Sequence, residues 1–358
     1  MSDDLENVDS AHSHRPGYSM TEPCERCGRD GPWLKQPIDE GGRGATEAYY
    51  GYAPGRLCRG CHMELLPNPE VLYTELLDIE FTFYYGCASG SSRKALRKME
   101  ESHVMVSYAT KNNGPLGTES VHFTDCGGAP DSFKDGDMAD TGDYVTSDGD
   151  YLEYVAEADA DLWSLRDYPC EPDVLETHDR TVADHQRMTI DRHRSLLDSA
   201  ADRGIDGQPV AVLQGWTVED YLEHIDAHRE AGTLTDYVGI GSICRRNADE
   251  EIQDIILAVR DALPARCRIH AFGVKLPVLE KSGVLDALAS ADSCAYDYGL
   301  MMEAIYNGGD YSWKPIVGEY LEFKERVGEL LESYDDLEQQ SLGAFGGQPI
   351  ATDGGETQ

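Results

Sequence analysis

The sequence predicts an α/β chain whose parallel strands close into a (β/α)8 TIM-type barrel, with a small N-terminal zinc-ribbon-like module ahead of it. Three observations predict it. Short β-branched or aromatic runs alternate with amphipathic segments of helical spacing after Leu65, as repeated strand–helix units require. Those strand runs are apolar almost throughout, which marks strands covered on both faces. Polar residues recur at the predicted strand ends, at Asp125, Asp167, Gln214, Ser242, His270 and Asp292. Such a ring suits the active face of a barrel. An open doubly wound sheet, the second reading, would gather its ligand residues near one switch point.

The elements follow in order. Residues 1–20 and 336–358 are rich in Gly, Asp or Ser with little apolar periodicity and read as disordered tails. The module spans 21–70 and the barrel domain 71–335. Strand-like runs lie at 103–109, 121–125, 162–165, 209–215, 237–243, 268–274 and 290–296. Thr217 with Asp220 makes a capping-box start for a helix carrying Val218, Tyr221, Leu222 and Ile225 at helical spacing, and Gly232 suits its end. Ile252, Ile255, Ile256, Val259 and Leu263 repeat the pattern before Pro264.

Charge constrains the partners. The 358 residues hold 67 Asp plus Glu against 30 Lys plus Arg, a formal net charge of -37. That balance opposes phosphate recognition, which relies on Lys and Arg. The acid is spread along the whole chain, however, and suits a halophilic protein that must stay hydrated in concentrated salt. In molar salt counterion release drives little binding, so nucleic-acid affinity would rest on stacking, hydrogen bonds and shape. No run of about 18 apolar residues appears and Met1 to Met20 lacks an apolar core, so the expectation is a cytoplasmic protein with no membrane partner.

Four of the ten cysteines form two Cys-x-x-Cys knuckles, Cys24 with Cys27 and Cys58 with Cys61. Four thiolates placed at two turn tips would close a tetrahedral shell around structural Zn2+. Gly28 and Gly60 fit the tight turns, and Arg26, Arg29, Arg43, Arg56 and Arg59 make the module basic for so acidic a chain. A nucleic-acid contact and a purely structural clip are both consistent with this.

Several patches carry a family resemblance. Phe123-Thr124-Asp125-Cys126-Gly127-Gly128 resembles the Asp-Ser-Gly-Gly loop of tRNA-guanine transglycosylases, Gln214-Gly215 resembles their Gln-Gly base-reading element, and Tyr237-Val238-Gly239-Ile240-Gly241 resembles the Gly-rich strand that follows. Asp167 with Cys170-Glu171-Pro172 resembles the family's aspartate-bearing strand, and Ile269 to Val274 sits where the family has its Met-Gly-Val strand. The forms Gly-Ile-Gly-Ser-Ile-Cys-Arg-Arg, His-Ala-Phe-Gly-Val-Lys and Ser-Ala-Asp-Ser are closer to the DpdA branch, which inserts 7-deazaguanine derivatives into DNA. The resemblance covers about residues 103–300.

It implies the exchange of guanine in a nucleic acid for a 7-deazaguanine base, on DNA before tRNA. Exchange at an anomeric carbon passes through an oxocarbenium-like transition state that a carboxylate can capture covalently, while a second group protonates the leaving base. By resemblance Asp292 is the candidate nucleophile and Asp125 the general acid/base. The tRNA enzymes carry Asp-Met-Phe-Asp on this strand with the nucleophile second, a position that falls on Ala295 here, so Asp125 and Asp297 stay open as nucleophiles. Base binding would fall to Asp167, Gln214, Gly215, Gly239, Gly241, Gly127 and Gly128, with His270 a pocket residue and Tyr108 or Tyr168 stacking. Arg245, Arg246 and Lys275 are candidate phosphate contacts, as is the helical cluster Arg93, Lys94, Arg97 and Lys98. A tRNA enzyme and a non-catalytic nucleic-acid-binding barrel are the other readings, and accessory subunits are left open.

Overall fold

Strands that are apolar on both faces need covering on both, and here the sheet curls so that one face lines an interior while helices cover the other. The computed structural model describes residues 81–87, 89–113, 121–125, 142–244, 246, 249–264 and 266–345. Its strands are β1 (Thr82–Cys87), β2 (His103–Ser107), β3 (Val121–Asp125), β4 (Leu162–Ser164), β5 (Gln208–Leu213), β6 (Tyr237–Ile240), β7 (Arg268–Ala271) and β8 (Ser290–Ser293). Each pairs in parallel with the next, and β1 pairs with β8 with Tyr84 opposite Asp292, which joins the two edges of the sheet.

The helices are α1 (Gly90–Lys98), α2 (Asp148–Ala158), α3 (Pro172–His178), α4 (Val182–Arg203), α5 (Val218–Ala231), α6 (Asp249–Ala262), α7 (Leu276–Leu279), α8 (Val284–Ala287), α9 (Ala295–Asn307) and α10 (Trp313–Phe345). Among the described residues β2 and β3 are joined without an α-helix, through a 3-10 turn at Tyr108–Asn113. None of the helices among them is long and apolar enough to cross a membrane. Strand alternation sorts the core. Phe83, Tyr85, Val104, Val106, Val238, Ile240, Ile269 and Ala291 pack outward with α5, α6 and α10. Tyr84, Met105, Leu162, Val210 and Tyr237, of the opposite parity, cluster together inside the ring.

The expected strands are present, but several stop early. β5, β6, β7 and β8 end at Leu213, Ile240, Ala271 and Ser293, so Gln214, Ser242, Phe272 and Ala295 lie just beyond them. Gln214 leaves the ladder because helices take its backbone: its N–H donates to His224 Nδ1 at 2.9 Å and its carbonyl accepts from Gln186 Nε2 at 2.8 Å. The sequence reading did not mark β1, whose aromatic run lacks a polar residue at its end. The helix α10 continues to Phe345, past the expected domain end at 335. Cys24, Cys27, Cys58 and Cys61 lie outside the described residues, as do Gly127, Gly128 and Arg245.

Candidate active site at the carboxyl ends of the strands

Asp292 is the next-to-last residue of β8, on the parity that faces the ring interior, and is 8% exposed. Its Oδ1 accepts from Gly273 N–H at 2.7 Å and lies 3.1 Å from His270 Nε2. Gly273 can offer that N–H because it turns at φ 60°, against the Cys244 side chain. His270 is fully buried; its Nδ1 is 2.7 Å from Ser290 Oγ, which is 2.5 Å from the Tyr237 hydroxyl. A carboxylate only accepts, so the network assigns the imidazole proton to Nε2, and Nδ1 then accepts from Ser290. Burial holds His270 below the ordinary imidazole value, with Asp292 pulling the other way. A neutral ring donating to Asp292 satisfies both.

A second polar line crosses the ends of β4, β5 and β6. The Gln214 amide nitrogen donates to Asp167 Oδ2, and Ser242 Oγ lies 2.5 Å from Gln214 Oε1 and 2.7 Å from Glu171 Oε2. All four residues are buried. The segment carrying Asp167 and Glu171 is pinned from outside: Tyr168 N–H donates to Thr189 at 3.0 Å, and His185 Nδ1 meets the Pro169 carbonyl at 2.5 Å. Ser242 holds a left-handed φ of 53°, which costs a non-glycine residue energy and needs surrounding contacts to persist. Tyr221 donates to the Gly241 carbonyl at 2.7 Å, Arg246 Nε to the Ser242 carbonyl at 3.0 Å, and Cys170 N–H to Ser242 Oγ at 2.8 Å.

The two lines meet through glycines. A Cβ on Gly241 would sit 2.2 Å from the Gln214 amide nitrogen, and one on Gly239 would sit 2.1 Å from the Phe272 ring. Phe272 also lies edge-on to His270, ring centroids 4.6 Å apart. The missing side chains of β6 therefore let Gln214 and Phe272 settle between Asp167 on one side and Asp292 on the other. Half-buried Phe272 offers an aromatic face there.

Other expected site residues fall in varied surroundings. Asp125 closes β3 opposite Ser107. Gly215 is buried where a Cβ would meet Asp220 at 2.8 Å, just before α5. Arg246 is buried, stacked 3.8 Å over Trp216 and donating to its carbonyl at 2.6 Å, while Lys275 Nζ donates to the Arg246 carbonyl at 2.8 Å. Arg93 is buried against Thr110, whereas Lys94, Arg97 and Lys98 are exposed on α1. Tyr108 packs on Tyr151 and Tyr154, and Tyr168 donates to Asp143 at 2.8 Å. Asp297 lies in the first turn of α9, not on a strand, and accepts from Tyr311 at 2.9 Å. Burial pushes its carboxyl up to about 6, against hydrogen bonds from Tyr311 and Ser92.

Sequence reasoning passed over Glu171 and Phe272 as site residues, and took Ser242 only as a polar strand end. Phe272 was legible in principle as the bulky residue facing a Gly-x-Gly strand. The contact between Glu171 and Ser242 joins residues far apart in sequence and left no local signal. Among the described residues no group of three or more His, Cys, Asp or Glu is arranged to hold a metal ion.

A family model described as DpdA, DeoxyPurine in DNA protein A, matches residues 102–330, from just before β2 into α10. No curated protein matches the chain.

Proposed function

The chain belongs to the DpdA family, deoxypurine in DNA protein A, over residues 102–330, and from that premise we propose that it is a base-exchange transglycosylase. It replaces guanine in DNA with a 7-deazaguanine derivative through an Asp-linked glycosyl intermediate. The closed ring of parallel strands, read as a TIM-type barrel, carries its chemistry at the carboxyl ends of the strands. The observation that carries the proposal is the pairing, at that end, of a buried carboxylate fixed through one oxygen, Asp292, with a buried acceptor–donor pair, Asp167 and Gln214.

Asp292 Oδ2 attacks the anomeric carbon as the bond to the leaving guanine N9 breaks, and a general acid donates a proton to that base. The 7-deazaguanine then attacks the same carbon, displaces Asp292 and loses its N9 proton to the same group. Asp125, which closes β3, is our candidate for that acid/base. Asp167 accepts from the N–H groups of the guanine-like edge while Gln214 donates to its carbonyl, and Phe272 stacks on the ring. Cys24, Cys27, Cys58 and Cys61 would hold a structural Zn2+. A metal assay should return about one zinc per chain, and less than about half would overturn the four-thiolate site.

The proposal is tested by incubating duplex DNA or tRNA carrying labelled guanine with the full chain and unlabelled 7-deazaguanine derivatives in high salt. The assay is run with and without host lysate, since accessory subunits remain within the reading. Label released from DNA supports the proposal. Release from tRNA alone moves the substrate, and release from neither removes the enzymatic reading.

A further inference from the structure

The Asp167 carboxyl, which meets the Gln214 amide, stands on backbone that has left the sheet. β4 ends at Ser164, and Leu165 N–H still follows its ladder, donating to the Val210 carbonyl at 2.9 Å. Two residues on, a side chain from another segment takes over. The Tyr144 hydroxyl accepts from Asp167 N–H at 3.0 Å and donates to the Asp167 carbonyl at 2.7 Å. Those two groups belong to the two rigid peptide planes that meet at the Asp167 Cα. One oxygen bonded to both fixes their relative rotation, and with it the direction in which the Asp167 side chain leaves the backbone. The ring that carries this hydroxyl is itself held. The guanidinium groups of Arg166 and Arg192 lie 4.4 and 4.8 Å from its centre. Arg166 donates to the Thr146 carbonyl at 2.8 Å and to Thr146 Oγ1 at 2.7 Å, while Arg192 of α4 meets Asp143 at 2.8 Å and Asp148 at 3.0 Å.

We propose that Tyr144 is a positioning residue for base recognition, whose hydroxyl aims the Asp167 carboxylate at the N–H groups of the bound guanine-like edge. This rests on the base-exchange reading above. A carboxylate that accepts from neighbouring N–H groups of one edge has to lie along that edge, and such geometry must be held to within about 0.5 Å and 10–20°. The anchors on either side act on single planes or at a distance. Tyr168 N–H, which shares a plane with the Asp167 carbonyl, donates to Thr189 at 3.0 Å, and Arg166 is held at the far end of its long side chain. The Tyr144 hydroxyl instead joins both planes to one atom. Its own segment is tied down before and after the ring, by Arg180 donating to the Gly142 carbonyl at 2.9 Å, by Tyr168 donating to Asp143 at 2.8 Å, and by the two arginines at Thr146 and Asp148. Residues 142–148 thus form a brace between α4 and the exit of β4, with the Tyr144 hydroxyl at its tip.

The test is Tyr144→Phe in the full chain, with 7-deazaguanine binding measured by titration calorimetry and KM and kcat measured for exchange. Phe keeps the ring against both guanidinium groups and removes only the hydroxyl. Kd and KM for the base should rise about 10-fold while kcat stays within about twofold, since Asp292 is untouched. Asp167→Asn supplies a second arm. It weakens base binding by itself, and adding Tyr144→Phe to it should change Kd by less than about twofold, because a hydroxyl that acts through the carboxylate has nothing left to aim. Tyr151→Phe is the control: its hydroxyl donates to the Ser164 carbonyl at 2.6 Å and its ring also lies against Arg166, so its loss should leave KM within about twofold if the effect belongs to Asp167. An unchanged KM in Tyr144→Phe, a penalty that adds in full to that of Asp167→Asn, or an equal shift in Tyr151→Phe overturns the positioning role and leaves the exchange reading intact. A Tyr144→Phe chain that thermal melts show to be unfolded also overturns it, by making the hydroxyl a stability element. A wild-type chain that neither binds 7-deazaguanine nor releases labelled guanine from DNA overturns the exchange reading, and this inference with it.

Discussion

The Oδ1 atom of Asp292 is held by Gly273 and His270, and among the described residues its Oδ2 makes no hydrogen bond. A nucleophile needs that arrangement: one oxygen anchored so the group cannot rotate away, the other able to meet the electrophile. Asp297 lacks it, being enclosed by Tyr311 and Ser92 in the first turn of α9. Asp292→Asn should therefore lower exchange by about three orders of magnitude or more while leaving 7-deazaguanine affinity within a few-fold, because its neighbours still hold the isosteric side chain. Rapid-mixing turnover and calorimetry on the same preparation check both halves. Near-wild-type turnover in Asp292→Asn would move the nucleophile elsewhere.

Among the elements, those with local signals were legible in the sequence. Thr217 caps α5 with Asp220 as its spacing predicts, the Asp220 side chain also takes the N–H of Trp216 at 2.9 Å, and Gly232 ends the helix in the left-handed region. Because that cap secures the turn after Gln214, a helix-start signal was also a site signal. β1 escaped because aromatic residues serve its inward and outward faces alike, Tyr84 inside and Phe83 and Tyr85 outside, so no alternation shows. Three histidines of α4 and α5 were also illegible: His193, His224 and His228 are fully buried, and the His228 ring centroid lies 5.2 Å from that of His193 and 4.4 Å from that of His224. Burial keeps His193 and His224 well below the ordinary imidazole value and His228 near about 4 rather than 6.5.

These rings are neutral in the fold and protonate on unfolding, so the unfolded chain binds more protons below pH 6.5. Stability is full above that value and falls as pH drops from 6.5 toward about 4. Asp297, near about 6 in the fold, and Asp254, also raised by burial, work in the opposite sense, but burial holds His185 and His270 low as well, so among the described residues five histidines stand against these two carboxyls. Urea midpoints should fall steadily as pH is lowered through this window, and His228→Gln should flatten the slope. A flat profile in the wild-type chain would contradict the account.

At the scale of the whole molecule, a net charge of -37 repels itself at low ionic strength and is screened in concentrated salt. The folded chain should melt at progressively higher temperature as KCl is raised into the molar range, and a melting temperature indifferent to salt would remove the halophilic reading. The same charge explains why composition pointed away from nucleic acid while local motifs pointed toward it. Composition reports the average surface, whereas the proposed recognition lies in a handful of buried groups, Asp167, Gln214, Ser242 and Asp292, that contribute little to that average. Nucleoside mass spectrometry of host DNA and tRNA, with and without the gene for this chain, tests the central claim most directly. A 7-deazaguanine deoxynucleoside present in DNA and lost with the gene is the predicted result. DNA nucleosides that do not change when the gene is removed would contradict it.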